Sequence, residues 1–173
     1  CRDSTFTPEV FARGVTAQRK FNGVHRVAFQ RRGADGAHLV QYSRTGTEYP
    51  GQQQLTAELL PMIAAAPPVA PGEFGAPRDP AILAAYAQRD GAYASPAPYF
   101  VGELYLHGQP LNWINGQARR GADAAALEFH IFDVFFPYAK AAGHDMESHH
   151  RTSYLDAFFA GASATPHPHV VRV

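Results

Sequence analysis

Apolar and polar positions alternate over residues 24–30 and again over 37–44, and Gly33-Ala34-Asp35-Gly36 lies between the two runs. A period of two sends successive side chains to opposite faces of a strand, and glycine-rich chemistry at the join turns the chain, so this stretch predicts a β-hairpin. His25, Val27 and Phe29 then share one face, and Val24, Arg26 and Ala28 the other. Two more apolar runs, residues 99–106 and 127–136, predict buried strands, each interrupted by a single acid, Glu103 and Asp133. Helical character marks residues 52–66, where Pro61 is expected to start, kink or end the helix. A second helix is predicted from Asp79-Pro80, with Ile82, Leu83 and Tyr86 on one side and Gly91 closing it. Residues 111–120 predict a third, ending at Gly121 with Leu111 and Trp113 turned to the core. Residues 148–160, closed by Gly161, predict a fourth. The stretch 64–77, rich in Pro, Ala and Gly, reads as a surface loop, residues 1–17 have no clear period, and the final residues begin one more strand.

Composition narrows the function classes. The 173 residues are 46% apolar and 17% charged, with zero formal net charge, which fits one domain with a real core. Whole-molecule attraction to nucleic acid is absent, so any such contact must come from a local patch. A single cysteine, Cys1, excludes internal disulfides and a cysteine-based zinc site and fits a reducing, cytoplasmic compartment. No run of 18 apolar residues exists, so no membrane-spanning segment is expected. The chain opens on Cys rather than Met, which suggests a processed product or a fragment.

Candidate chemistry begins at Lys20, one of only two lysines, in the stretch Lys20-Phe21-Asn22-Gly23. Asn and Gly allow a tight turn and close approach to a ligand. An ammonium with a pKa of about 10.4 is not nucleophilic at neutral pH, so Lys20 needs a dry or cationic setting; Arg19 and Arg26 are candidates to supply part of it. Burying an unpaired carboxylate costs several kcal/mol, so Glu103 and Asp133 should meet a cation, a metal or hydrogen-bond donors, or else cap backbone turns. If Lys20, Arg44, Glu103 and the ring of Phe132 converge, they make a nucleotide pocket. His144, His149 and His150 lack the i, i+4 spacing of a helical metal pair and read as a polar surface. Arg31, Arg32, Arg119 and Arg120 are candidate phosphate contacts, or simply solvated charges.

Four segments occur in an informative order: Lys20-Phe21-Asn22-Gly23-Val24, then Ser43-Arg44-Thr45-Gly46, then Gly102-Glu103-Leu104-Tyr105 with His107-Gly108, then Phe129-His130-Ile131-Phe132-Asp133. Together they resemble the successive motifs of the covalent nucleotidyltransferases, and most closely the ATP-dependent DNA ligases of the small phage type. The resemblance runs from Gln18 to Asp133 and more loosely to the end. It implies an α+β nucleotidyltransferase fold, ATP-grasp-like, of antiparallel sheets flanked by helices with the ATP pocket between the sheets. Lys20 becomes the residue that attacks the α-phosphate of ATP to form lysyl-AMP, Gln18 a reader of the adenine edge, Arg44 a ribose and phosphate contact, Glu103 a ribose or divalent-metal ligand, and Phe132 the adenine stack. ATP and Mg2+ are the implied cofactors. The implied partner is nicked DNA, or RNA, with a 5′-phosphate and a 3′-hydroxyl, acted on by a monomer without a membrane.

Three departures accompany the likeness. His25 stands where the family has arginine, with Arg26 one step on and, by alternation, on the opposite face unless a bulge re-aims it. Val101 stands where an acid usually precedes Gly-Glu. After Lys140 there is no lysine, although the family continues with a Glu-Gly strand and a Lys-x-Lys strand. The chain therefore reads as a partial adenylation domain over 1–173, without the later motifs and the following OB-fold. The alternatives are an RNA ligase, a capping-type nucleotidyltransferase, or a non-catalytic nucleotide or nucleic-acid binding relative.

Overall fold

The computed structural model of the chain describes residues 20–66, 79–81, 98–121, 127–136, 147–162 and 166–173. The predicted hairpin forms as β1 (Val24–Gly33) and β2 (Gly36–Tyr42), whose ladder closes on a Gly33–Gly36 rung around Ala34-Asp35. Gly36 has φ +120, a conformation open to glycine and strained for other residues. β3 (Glu48–Tyr49) adds to the far side of β2, and α1 (Gln53–Ala65) follows. Then come β4 (Tyr99–Tyr105), α2 (Leu111–Ala118), β5 (Glu128–Phe135), α3 (Ser148–Ala162) and β6 (Val170–Arg172).

The strands form one six-stranded sheet in the order β3-β2-β1-β4-β5-β6. Every pairing is antiparallel except β5 with β6. Among the described residues this is a single sheet, where the resemblance led us to expect a pocket between sheets. The antiparallel α+β character is as expected.

Alternation along the strands sorts the two faces. One face carries Ala28, Leu39, Phe100, Leu104, Phe129, Ile131 and Val134 into a core shared with Leu55 and Leu59 of α1, Ile114 of α2, and Tyr154 and Phe158 of α3. Each fully buried aliphatic or aromatic side chain there contributes about 1.5–3 kcal/mol. On the opposite face Phe29 stacks on Tyr99 with centroids 4.0 Å apart, and Val40 joins them in a smaller cluster.

Of the expected places for Pro61, neither end of α1 is the one taken: it lies inside the helix, exposed, with Leu59, Met62 and Ile63 on either side held in the core. Two other helix expectations are revised. α3 continues past Gly161 to Ala162. Leu111 is 42% exposed rather than core-facing; Ile114 and Ala118 take that role, with Trp113 packed at the core's margin. The Asp79 cap is present, accepting the Ala81 N–H at 2.8 Å; the rest of that helix, and the predicted loop beyond residue 66, lie outside the described residues.

Candidate active site

Lys20 precedes β1 by four residues, and the chain between them is held against β4. Gly23 donates its N–H to Glu103 Oε2 at 3.0 Å. A Cβ at Gly23 would sit 2.4 Å from the Leu104 carbonyl oxygen, so only glycine allows this approach. Glu103 is thus satisfied by a backbone donor, one of the outcomes expected for a lone strand acid. It is also the direct cross-strand partner of His25, and the ring of His25 lies 6.5 Å from that of Phe132 on β5. Three expected site residues from three strands therefore share one sheet face, the face that Phe21 and Gly23, just after Lys20 in the chain, pack against.

Arg44 is exposed in the loop after β2, which is tightened by Ser43 N–H to Thr47 O at 2.9 Å and by Gly46 at φ +81. Its charge reaches His25. Partial burial, then Arg44, hold the imidazole's pKa below its ordinary value, with Arg26 adding to the effect and Glu103 opposing it. His25 Nδ1 is sealed from solvent and has no hydrogen-bond partner among the described residues. The dry setting expected for Lys20 is not supplied by the described residues, since Lys20 is solvent-exposed.

Arg26 requires a correction. No bulge re-aims it, and it points to the helix-covered face, 1% exposed, with its guanidinium 3.9 Å over the Tyr49 ring and Nη1 donating to the His25 carbonyl at 2.9 Å. Burial is the main influence lowering its pKa, and Arg119 adds to it. It is not available to a ligand on the Lys20 face. Arg119 and Arg120, at the end of α2, lie on the helix side as well. Arg31 is engaged with Tyr42 Oη at 2.9 Å and Glu48 at 3.5 Å. Arg31 and Arg32 stand at the hairpin end of β1, roughly 20 Å from His25 at strand rise. The structure does not bring these four arginines to Lys20. Gln18 and Arg19 lie outside the described residues, as does His144. The His149 and His150 rings lie 3.9 Å apart and tilted by 39°, with His149 beside Glu147, and no group of three metal-ligating side chains occurs among the described residues.

Sequence reasoning missed a neighbouring cavity of about 410 Å³ lined by Phe21, Tyr105, His107, Glu128, His130 and the end of β6. Phe21 packs 4.3 Å from the His130 ring and 5.1 Å from Tyr105, and His130 Nε2 meets Glu128 at 2.6 Å. The signal was present as i±2 spacing: Tyr105 follows Glu103, and His130 precedes Phe132, by two residues on the same face.

No protein-family model matches the chain. It is 34% identical over 119 residues to the DNA ligase of an African swine fever virus isolate from Pretoriuskop, South Africa, covering 69% of this chain and 21% of that protein. The DNA ligase of the Malawi isolate is 33% identical over 117 residues, 68% of this chain and 20% of that one. Over two thirds of its length the chain is similar to these DNA ligases. It spans about a fifth of the length of these curated relatives. Two solved ligase structures, Pmar-Lig_PreS3 and Pmar-Lig_Pre, share its fold with TM-scores of 0.56 and 0.57 at 14% identity, each covering 88% of this chain and 28% of theirs. The ligase fold explains why the acid, the ring and the loop arginine come from separate strands and loops: one sheet face gathers residues more than a hundred positions apart.

Proposed function

We propose that this chain is the nucleotide-binding part of an adenylation domain of an ATP-dependent DNA ligase. The observation that carries the reading is the gathering of Glu103, His25 and Phe132 on one sheet face, with Glu103 holding Gly23, three residues after Lys20. In this reading the Lys20 amine attacks the α-phosphorus of ATP; an N–P bond forms, the bond to the pyrophosphate oxygen breaks, and the amine loses a proton. The adenylate passes to a 5′-phosphate at a nick, and the adjoining 3′-hydroxyl displaces AMP to close the strand. Phe132 offers a ring face to adenine, Glu103 and His25 face the ribose, and Arg44, on its exposed loop, meets phosphate.

Mg2+ would offset charge on the polyphosphate. The residues fit such an ion only loosely. Glu103 is a single carboxylate with Oε2 already accepting from Gly23, so substrate phosphates and water must supply most of the shell. Incubation with α-labelled ATP and Mg2+ should yield a covalent AMP adduct that Lys20→Ala abolishes. Absence of an adduct in the wild-type protein overturns the reading. Nicked DNA against nicked RNA then separates the two substrate classes.

A further inference from the structure

Asp133, the second isolated strand acid, has no part in the chemistry above, yet it sits at the one register shift among the described strand pairings. β5 pairs with β4 from Tyr105↔Glu128 to Gly102↔Ile131, and the next rung is Val101↔Asp133, so Phe132 is the extra residue of a β-bulge. Simple alternation from Ile131 would drive Asp133 into the core and turn Val134 out. The bulge resets the count: Ile131 and Val134 are both 0% exposed, and Phe132 and Asp133 both lie half-buried between them. β4 closes tightly at this point, since a Cβ on Gly102 would come within 2.4 Å of the His130 carbonyl oxygen.

A bulge disrupts ladder hydrogen bonds and needs support. Asp133 Oδ1 accepts the backbone N–H of Val134 at 2.9 Å and Nε–H of Arg151 at 2.7 Å. Arg151 lies in α3, which is anchored in the core by Tyr154, Leu155 and Phe158. One carboxylate therefore ties the bulged backbone to a rigid helix. The geometry points to Asp133 and Arg151 as a positioning pair for Phe132: the ion pair holds the bulge, and the bulge aims the Phe132 ring beside His25. This role rests on the adenylation reading and adds to it a determinant of purine affinity remote from Lys20.

The test uses the full-length protein and follows adduct formation against ATP concentration. Arg151→Met, which keeps the length of the side chain and removes the ion pair, should raise KM for ATP about fivefold while the maximal rate stays within about twofold. Asp133→Asn retains an acceptor oxygen and Arg151→Lys retains the charge, so both should fall between wild type and Arg151→Met. The deciding measurement is the cycle with Phe132→Ala. If the pair acts through the ring, Arg151→Met adds no further rise in KM once the ring is gone. An unchanged KM in Arg151→Met, or a full additional rise in the Phe132→Ala background, overturns the positioning role while leaving adenylation intact. If Arg151→Met does not fold, the same comparison with Arg151→Lys decides. Wild-type protein without an adduct overturns the adenylation reading itself.

Discussion

Glu103 lies directly across the β1–β4 ladder from His25, and its Oε2 receives the backbone N–H of Gly23 at 3.0 Å. The carboxylate thus joins the segment that carries Lys20 to the middle of the sheet. The hydrogen bond and the close backbone contact beneath it fix the entrance to β1 against β4.

Gly23→Ala should disable the site more than it destabilises the fold. The new Cβ would meet the Leu104 oxygen at 2.4 Å and Glu103 Oε2 at 3.2 Å. The strand entrance has to lift from β4, which moves Lys20 relative to Glu103. A misplacement of about 1 Å is enough for a loss on the order of 100-fold. Adduct formation should fall by at least tenfold, with a melting temperature near that of wild type. Wild-type rates in this variant would count against the contact.

Gly102→Ala should do the reverse and act first on stability. Its Cβ would clash with the backbone of His130 and come 2.7 Å from Phe129 Cε2 in the core. Overpacking of this kind costs about 1–3 kcal/mol. Chemical denaturation should show that loss at an unchanged m-value; a stability equal to wild type would mean that β4 and β5 separate there at little cost.

Much of this arrangement was legible in the residues, because it follows from local rules. The period of two separated His25 from Arg26 correctly, and the lone acids marked strands that meet donors, Gly23 for Glu103 and Arg151 for Asp133. What local rules lack is long-range pairing. The bulge at Phe132 depends on how β4 meets β5, and a run such as Ile131-Phe132-Asp133-Val134 does not announce which residue is extra. Which of its expected places Pro61 takes is set for a similar reason: its local cost inside α1 is weighed against burial of Leu59, Met62 and Ile63, which only the tertiary structure supplies. The cavity beside Phe21 needs three strands to exist.

Arg26→Met tests which face the second arginine serves. The guanidinium is buried without a salt bridge among the described residues, and Nε and Nη2 have no hydrogen-bond partner. Replacing a buried ion by an apolar side chain of similar size is often neutral or stabilising. The loss of stacking on Tyr49 sets against that about 1 kcal/mol. Stability should remain within about 1 kcal/mol of wild type or exceed it, and adduct formation should not change. A large drop in adduct formation with the fold intact would return Arg26 to the nucleotide site.

His25 should leave a signature in the pH dependence of stability. Burial and Arg44 hold its folded-state pKa below 6.5, with Arg26 in support and Glu103 opposed. The unfolded chain therefore binds a proton more readily than the folded one between the lowered value and 6.5. Stability attributable to this group is fully present above 6.5 and declines as pH falls through 6.5 toward the lowered value. His25→Gln keeps a polar side chain of similar reach and removes the titration. Urea denaturation at about pH 7.5 and about pH 5.5 should show a smaller decrease in His25→Gln than in wild type, because partial burial and the Arg44 charge disfavour the protonated imidazole in the folded state. Equal decreases in the two proteins would show that His25 is protonated in the folded state as easily as in the unfolded chain, and that Glu103 balances the arginines.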